Sequence, residues 1–546
     1  MPMTRKDFFS RSGSLLVPSL FVSSRPRFQA AEAALGMSSL PVFSVVQYGA
    51  NADGMTKTTR AIQSAIDAAA EKGGTVYFPP GKYILGTVRL KSFVTLYLDA
   101  GATLLASPDN SDFDRYEKLD YNSCSDRETT YFNYALIRAE NARNIGIHGR
   151  GIVDGNRTRR GGPKPIALKR CQQVSIRDIT MQNAPNYNIS MLGCDYVDID
   201  GVTIFNGYAD GIDPDCCRYV RIANCFIESA DDAIVPKASP SLGEVRPTED
   251  FTVTNCVLTT PANGLKFGTE SSGDFKNVTF SNCVIFSRRE KWKRGPRAGI
   301  ALESVDGSHI EGVSVTNIVM DDVHTPIFIR LGNRGRCQGA PTPGSLHHIS
   351  ISNIVATRSL HASSITGIPG HNVRDVTLQN INICSIGGGA AMTQEVPEVA
   401  SKYPEGDMFG PLPAYGLYCR HVRGLHVEDL SLQLDKPDYR PAVVADDIKE
   451  LDLLTLRAEP CAGDQPVVLL RDAGMALLQG SRALPSTKKF LEITGARSQK
   501  VHLIANDLNE AEIPFTTSGD AKPEALLESG NLMPRTESAI DSSPGN

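Results

Sequence analysis

The sequence predicts an all-β fold, a right-handed parallel β-helix closed at its N-terminal end by a capping helix. An alternating apolar pattern that turns on Asn or Asp recurs along the chain. It reads VSIRDITM from Val174, VRIANCFI from Val220, FTVTNCVL from Phe251, VTFSNCVI from Val278, VSVTNIVM from Val313, ISISNIVA from Ile349 and VTLQNINI from Val376, with a looser copy, VDIDGVTI, from Val197. Successive starts lie 23, 23, 31, 27, 35, 36 and 27 residues apart, so the variable length belongs in loops between constant strands. Period-two strands joined by a turn with a recurring asparagine suit a parallel stack whose side amides form ladders. A leucine-rich horseshoe needs leucines at fixed spacing, and a propeller needs antiparallel hairpins; the sequence shows neither.

In chain order, residues 1–34 read as an export signal: a basic start, a short apolar run and then the small residues Ala30 to Ala34. The order Thr4-Arg5-Lys6-Asp7-Phe8-Phe9 is similar to a twin-arginine signal with lysine as its second basic residue, and the apolar run is too short to span a bilayer. Strand character begins near Phe43. In TTRAIQSAIDAAAEK the apolar residues at 61, 62, 65, 66 and 69 share one helical face. Gly73-Gly74 ends this helix and TVYFPPGKYIL resumes a strand. A helix at an open end shields the core of a stack. The catalytic stack is predicted over residues 43–505, irregular after Ser385 but resuming in LHVEDLSLQL and IKELDLLTL. Residues 506–546, rich in Ser, Pro and charge, are predicted to be a mobile tail.

A formal net charge of -5 over 546 residues gives no electrostatic reason to expect nucleic acid or an anionic membrane as partner. No later stretch is long enough for a membrane span, and a monomer is expected. Of the 12 cysteines, Cys225, Cys256 and Cys283 share the contexts ANCFI, TNCVL and SNCVI. Equivalent positions in successive repeats point the same way, so these three are expected to stack as free, buried thiols. No zinc spacing and no phosphate-binding loop is present, so no metal and no cofactor are expected.

The stretch Tyr208 to Ser239 concentrates acid: Asp210, Asp213, Asp215, Asp231 and Asp232 flank one alternating segment. With coils repeating about every 23 residues, Asp210 and the Asp231-Asp232 pair fall one coil apart, roughly ~4.8 Å along the stack. Close carboxylates push one another's pKa values apart, which supplies the acid and base that hydrolysis needs. A solvated acidic turn or a calcium loop is the alternative on clustering alone.

FSVVQYGANADG, GGTVYFPPGKY, LYLDAGATLLAS, IHGRGIVDG and NAPNYNI, in this order, resemble glycoside hydrolase family 28, the polygalacturonases and rhamnogalacturonan hydrolases, from about residue 43 to at least 430. The resemblance implies the pectin-lyase-like solenoid and an inverting hydrolase of pectin-type, acidic plant polysaccharides. Its Asn-Thr-Asp-Gly motif becomes Tyr208-Ala209-Asp210-Gly211, and its Gly-Asp-Asp becomes Ala230-Asp231-Asp232. It thereby implies Asp231 as general acid, with Asp210 and Asp232 positioning and deprotonating water. In inverting enzymes acid and base generally stand ~6.5 to 9.5 Å apart.

Two motifs differ from the family. Gly-His-Gly becomes Ala262-Asn263-Gly264, placing Asn263 at the histidine position, and Arg-Ile-Lys aligns with Ala301-Leu302-Glu303, which removes the usual cationic clamp. Lys266 or Lys237 could replace that clamp as a point charge, or pair structurally with acids. Asn263, Lys266, Lys237, Asp213, Trp292 and Arg330 are the candidate substrate contacts. Trp292 is the only tryptophan and lies in the basic run RREKWKRGPR, where it could stack a sugar. Two other classes compete: a lyase using Asp210, Asp213, Asp215 and Lys237 with calcium, and a non-catalytic carbohydrate-binding β-helix.

Overall fold

Every repeat start pairs in register with the next. Val174 faces Val197, Val197 faces Val220, Val220 faces Phe251, Phe251 faces Val278, Val278 faces Val313, Val313 faces Ile349 and Ile349 faces Val376, all in parallel pairs. These side chains and those two positions on, such as Ile176, Ile199 and Ile222, are buried in one continuous core. The computed structural model describes residues 41–392 and 394–534, so the predicted export signal over residues 1–34 lies outside them. No helix among the described residues is long and apolar enough to cross a membrane.

The coils form a right-handed parallel β-helix with three faces. One face carries the repeat strands above, and a second carries short strands such as Thr203–Gly207 and Phe226–Ser229. The third runs from Ala135–Glu140 through Lys164–Lys169, Ile189–Leu192 and Ile212–Asp215. It continues, by way of the bridge at Ile234, to Asn263–Phe267, Ala298–Ser304 and Thr325–Leu331. The helix Thr59–Lys72 buries Ile62, Ala65, Ile66 and Ala69 against the first coils, as its periodicity predicts.

The turn asparagines sit in the left-handed region, φ 58° at Asn224, 55° at Asn255, 54° at Asn282 and 57° at Asn317, a conformation asparagine tolerates better than most residues. Their amides form the expected ladder, with Asn317 donating to Asn282 at 3.0 Å, Asn353 to Asn317 at 3.0 Å and Asn380 to Asn353 at 2.8 Å. Cys225, Cys256 and Cys283 are buried and free. Cys283 pairs in register with Ile318, which pairs with Ile354 and then Ile381, so the cysteines fill an ordinary aliphatic position.

One feature differs from the sequence reading and a second lies outside it. The tail predicted over residues 506–546 is ordered in its first part: Ala511–Thr517 pairs with Thr487–Thr494, and Leu526–Ser529 pairs with Gln499–Ile504. Short strands with a polar outward face mimic tail composition, which is why composition alone misreads them; residues 535–546 lie outside the description. A disulfide, Cys124–Cys337, also joins two interstrand loops across a sequence separation of 213, with 5.6 Å between the α-carbons. Neither cysteine belongs to a repeat, so spacing gives no hint of the pairing.

Candidate active site

The third face brings the acidic stretch together. The amide of Gly211 donates to the carbonyl of Asp232 at 2.9 Å, and Ile212 bridges Ile234, so Asp210 and Asp232 stand one coil apart. This close approach requires glycine at 211, where a β-carbon would meet the Ala233 carbonyl oxygen at 2.4 Å. Asp210, Asp231 and Asp232 each offer a carboxylate oxygen within 4.8 Å of the others. That is tighter than the spacing expected above for an inverting pair, and close enough that two of them can hydrogen-bond one water at about 2.8 Å each. The same spacing would also suit a shared cation, as would Glu311, His347 and His348 elsewhere.

Two buried lysines neutralise most of this charge. Lys237, its side chain 4% exposed, donates to Asp213 at 2.7 Å, to Asp210 at 3.0 Å and to the Tyr187 hydroxyl at 3.2 Å. Burial pulls its pKa down, but Asp213 and Asp210 outweigh that and hold it well above the ordinary lysine value. Lys237 is thus committed as a cation to Asp213 and Asp210, which argues against it as the base of the calcium-lyase reading. Asp215, the other acid of that reading, accepts from the Ser239 amide at 2.8 Å and is pushed up to about 6 by burial. Burial likewise pushes Asp210 well above the usual carboxylate range, against the pull of Lys237.

Lys266, 2% exposed, donates to Asp232 at 3.0 Å and lies 3.8 Å from Glu303. Among the described residues no hydrogen bond reaches either Glu303 carboxylate oxygen, and burial pushes its pKa well up. Asn263 fixes the other Asp232 oxygen, donating from its amide at 3.0 Å and from its side chain at 2.7 Å.

The candidate substrate contacts thus resolve differently from the sequence reading. Lys237, Lys266, Asp213 and Asn263 are sealed in the floor as structural partners of the carboxylates: Asp213, Asn263 and Lys266 lie on strands of the third face, Lys237 bridges that face at Asp215, and all four are buried. Arg330 is buried too; it donates to the carbonyls of Gly367 at 2.9 Å and Glu398 at 2.6 Å and lies over the Phe409 ring. It pins the 386–416 loop rather than facing solvent. Trp292 is half-buried beside Lys291. The ion pairs of its basic run go to Glu228, Glu290, Asp322 and Glu405; of these acids Glu405, paired with Arg297, lies near enough to the cluster to interact with Asp232 and Lys266.

Sequence reasoning missed Arg160. Its guanidinium donates to Asp231 at 2.6 Å and through Nε to both oxygens of Glu128 at 3.1 Å. Burial raises the Asp231 pKa, but Arg160 outweighs it and holds the group below the usual carboxylate value. Asp231 is the open member of the cluster, its side chain 34% exposed and that of Arg160 43%. The only signal in the sequence is the run Arg157-Thr158-Arg159-Arg160 before two glycines.

The chain is similar to several known proteins. Residues 42–295 match the family profile described as "Rhamnogalacturonase A/epimerase, pectate lyase-like". A probable polygalacturonase of Vitis vinifera is 26% identical over 371 residues, 62% of this chain and 74% of that protein. An exo-poly-alpha-D-galacturonosidase of Dickeya chrysanthemi is 24% identical over 61% of this chain and 65% of its own length. Among solved structures, the Yersinia enterocolitica family 28 exopolygalacturonase superposes with a TM-score of 0.57 at 18% identity, covering 77% of this chain and 79% of that one. At that identity the structural likeness speaks for the fold.

Proposed function

This chain belongs to glycoside hydrolase family 28, and from that membership we propose that it cleaves glycosidic bonds of pectin-type polysaccharides, galacturonan or rhamnogalacturonan, by acid/base hydrolysis. The observation that carries the reading is the cluster of Asp210, Asp231 and Asp232, contributed by adjoining coils, with oxygens within 4.8 Å.

Asp231 is the general acid: of the three it alone is open to a leaving group. Asp210 and Asp232 lie beneath it and hold one water between them; Asp210 orients that water and Asp232, paired with Lys266, takes its proton as it attacks the anomeric carbon. Asn263 and Lys266 keep Asp232 in place, and Lys237 keeps Asp210 in place. Attack by that water in a single step inverts the anomeric configuration. The reading needs no metal. One chain carries all three carboxylates, so a monomer suffices, and the Cys124–Cys337 disulfide suits an exported protein in an oxidising compartment.

The test is product release from galacturonan, rhamnogalacturonan and neutral oligosaccharides by the wild type and Asp231→Asn. The wild type is expected to release saturated sugars of inverted configuration from an acidic substrate, with turnover reduced about 10²- to 10⁴-fold in the variant. Equal behaviour of the two proteins removes Asp231 from the acid role. An unsaturated, ultraviolet-absorbing product would establish elimination instead.

A further inference from the structure

We propose that Arg160 is the receptor for the sugar carboxylate, and that it exchanges Asp231 for the carboxylate of an acidic sugar when substrate binds. The inference deepens the hydrolase reading and concerns the same site.

Four observations support the exchange. The guanidinium spans two anions, Asp231 on one side and Glu128, within the short helix Arg127–Thr130, on the other. The other cations that touch the aspartates, Lys237 and Lys266, are sealed and already committed to Asp210, Asp213 and Asp232. The next strand of the floor, Ala298–Ser304, offers no cation; its charged residue is the buried acid Glu303. Asp210 and Asp232 are nearly inaccessible, while Asp231 and the arginine above it are open, so a sugar reaching the carboxylates meets Arg160 first. A planar guanidinium suits a carboxylate in a two-bonded fork, and its exposed pairing with Asp231 is weak enough to exchange.

The exchange also answers a conflict in the resting site. A general acid must carry a proton, yet Asp231 beside Arg160 is held ionised. Transfer of the guanidinium to the sugar carboxylate removes that stabilisation, and the buried, crowded surroundings of Asp231 then favour its protonated form. An acidic sugar thereby arms the acid that cleaves it, whereas an esterified or neutral sugar leaves the arginine on Asp231. Glu128 holds Arg160 over the site while the exchange takes place. Its loop is in turn anchored by the Cys124–Cys337 disulfide and by Arg336, which pairs with Asp126 at 3.2 Å.

Calorimetric titration of the full-length protein with galacturonate, its methyl ester and galactose tests the proposal. None of these has an internal glycosidic bond to cleave, so the result is independent of turnover and of the product panel above. Galacturonate is expected to bind the wild type about ten- to a hundredfold more tightly than the ester, the range of a charge-assisted hydrogen-bonded pair. Arg160→Gln is expected to abolish that difference, Arg160→Lys to restore part of it, and Glu128→Gln, which keeps the guanidinium, to preserve it. Matched thermal unfolding of the variants guards against loss of fold. On an acidic substrate, the alkaline limb of kcat/KM is expected to move to higher pH in Arg160→Gln, since the free enzyme then keeps its Asp231 proton longer. No preference for galacturonate in the wild type, or a preference that survives Arg160→Gln, overturns the assignment. A wild type that prefers galacturonate but cleaves nothing leaves the receptor standing and overturns the hydrolase reading.

Discussion

Replacing Lys237 with methionine removes the ammonium from the floor and keeps most of the stem. Lys237 holds Asp213 at 2.7 Å and Asp210 at 3.0 Å, with Glu270 at 3.9 Å, and all four side chains are buried. Taking one partner out of such a group strands the other charges in low dielectric and costs about 3–5 kcal/mol. The loss depends on pH, and its sign follows from the shifts. Lys237 has a raised pKa, so its contribution is fully present below the unfolded lysine value and vanishes only as pH rises beyond it. Asp210 and Asp213 have raised pKa values, so each costs stability above the unfolded aspartate value, and that cost disappears as pH falls and they take up protons. Without Lys237 both rise further. Lys237→Met is therefore expected to lose most at pH 7 and to recover part of the loss at about pH 4.5, near the unfolded aspartate value. Urea unfolding at both pH values measures this, with hydrogen exchange over residues 187–238 locating it to the affected coils. Adding Asp213→Asn to Lys237→Met should restore part of the pH 7 stability, since one stranded charge is gone. A loss below about 1 kcal/mol, the scale of an exposed ion pair, refutes the reasoning, as does an equal loss at both pH values.

Two further predictions concern the scaffold. Gly211→Ala puts a β-carbon 2.4 Å from the Ala233 carbonyl oxygen and 2.6 Å from Ile227 Cγ2, so the coils carrying Asp210 and Asp232 must separate. It is expected to cost about 1–3 kcal/mol and to lower kcat, whereas Gly339→Ala, with nothing within 4 Å, should change neither; thermal unfolding and turnover check both. Cys124→Ser, or reduction of the wild type, should free the loop that carries Glu128 and raise its sensitivity to proteases over residues 107–134. Unchanged protection there would show that the disulfide is not what anchors the loop.

The fold was legible because a solenoid writes each inward position again on every coil. Val174, Val197, Val220 and Phe251 sit one above another, and a residue that breaks the series breaks the core. Asp210, Asp231 and Asp232 were legible for the same reason: two of them occupy equivalent places on adjoining coils, so a spacing in sequence becomes a distance in space. Lys266 and Arg330 also lie on these strands and Lys237 bridges one of them at Asp215, and their proximity to the third face could be read. Their roles could not, because a period gives a side chain's position but not the acids and loops that cover it. Glu398, whose carbonyl holds Arg330, comes from a loop outside the repeat.

Charge completes the division between what the repeat encodes and what the loops add. The strands build a floor in which Lys237 compensates Asp210 and Asp213, and Lys266 compensates Asp232, while Glu303 is driven toward its neutral form by burial. That floor is sealed and does not need the substrate's charge. Asp231 is the member left over: in the floor it accepts only from the Asp232 amide, at 3.1 Å, and among the described residues the cation that bonds it is Arg160, from the loop between Ile152–Asp154 and Lys164–Lys169. A cation borrowed from a loop can leave without unfolding a coil, whereas Lys237 cannot. Specificity for an acidic sugar is therefore easiest to change at residue 160, where substitution leaves the stack intact, and hardest to change at the motif positions Asn263 and Glu303, which the floor has already absorbed.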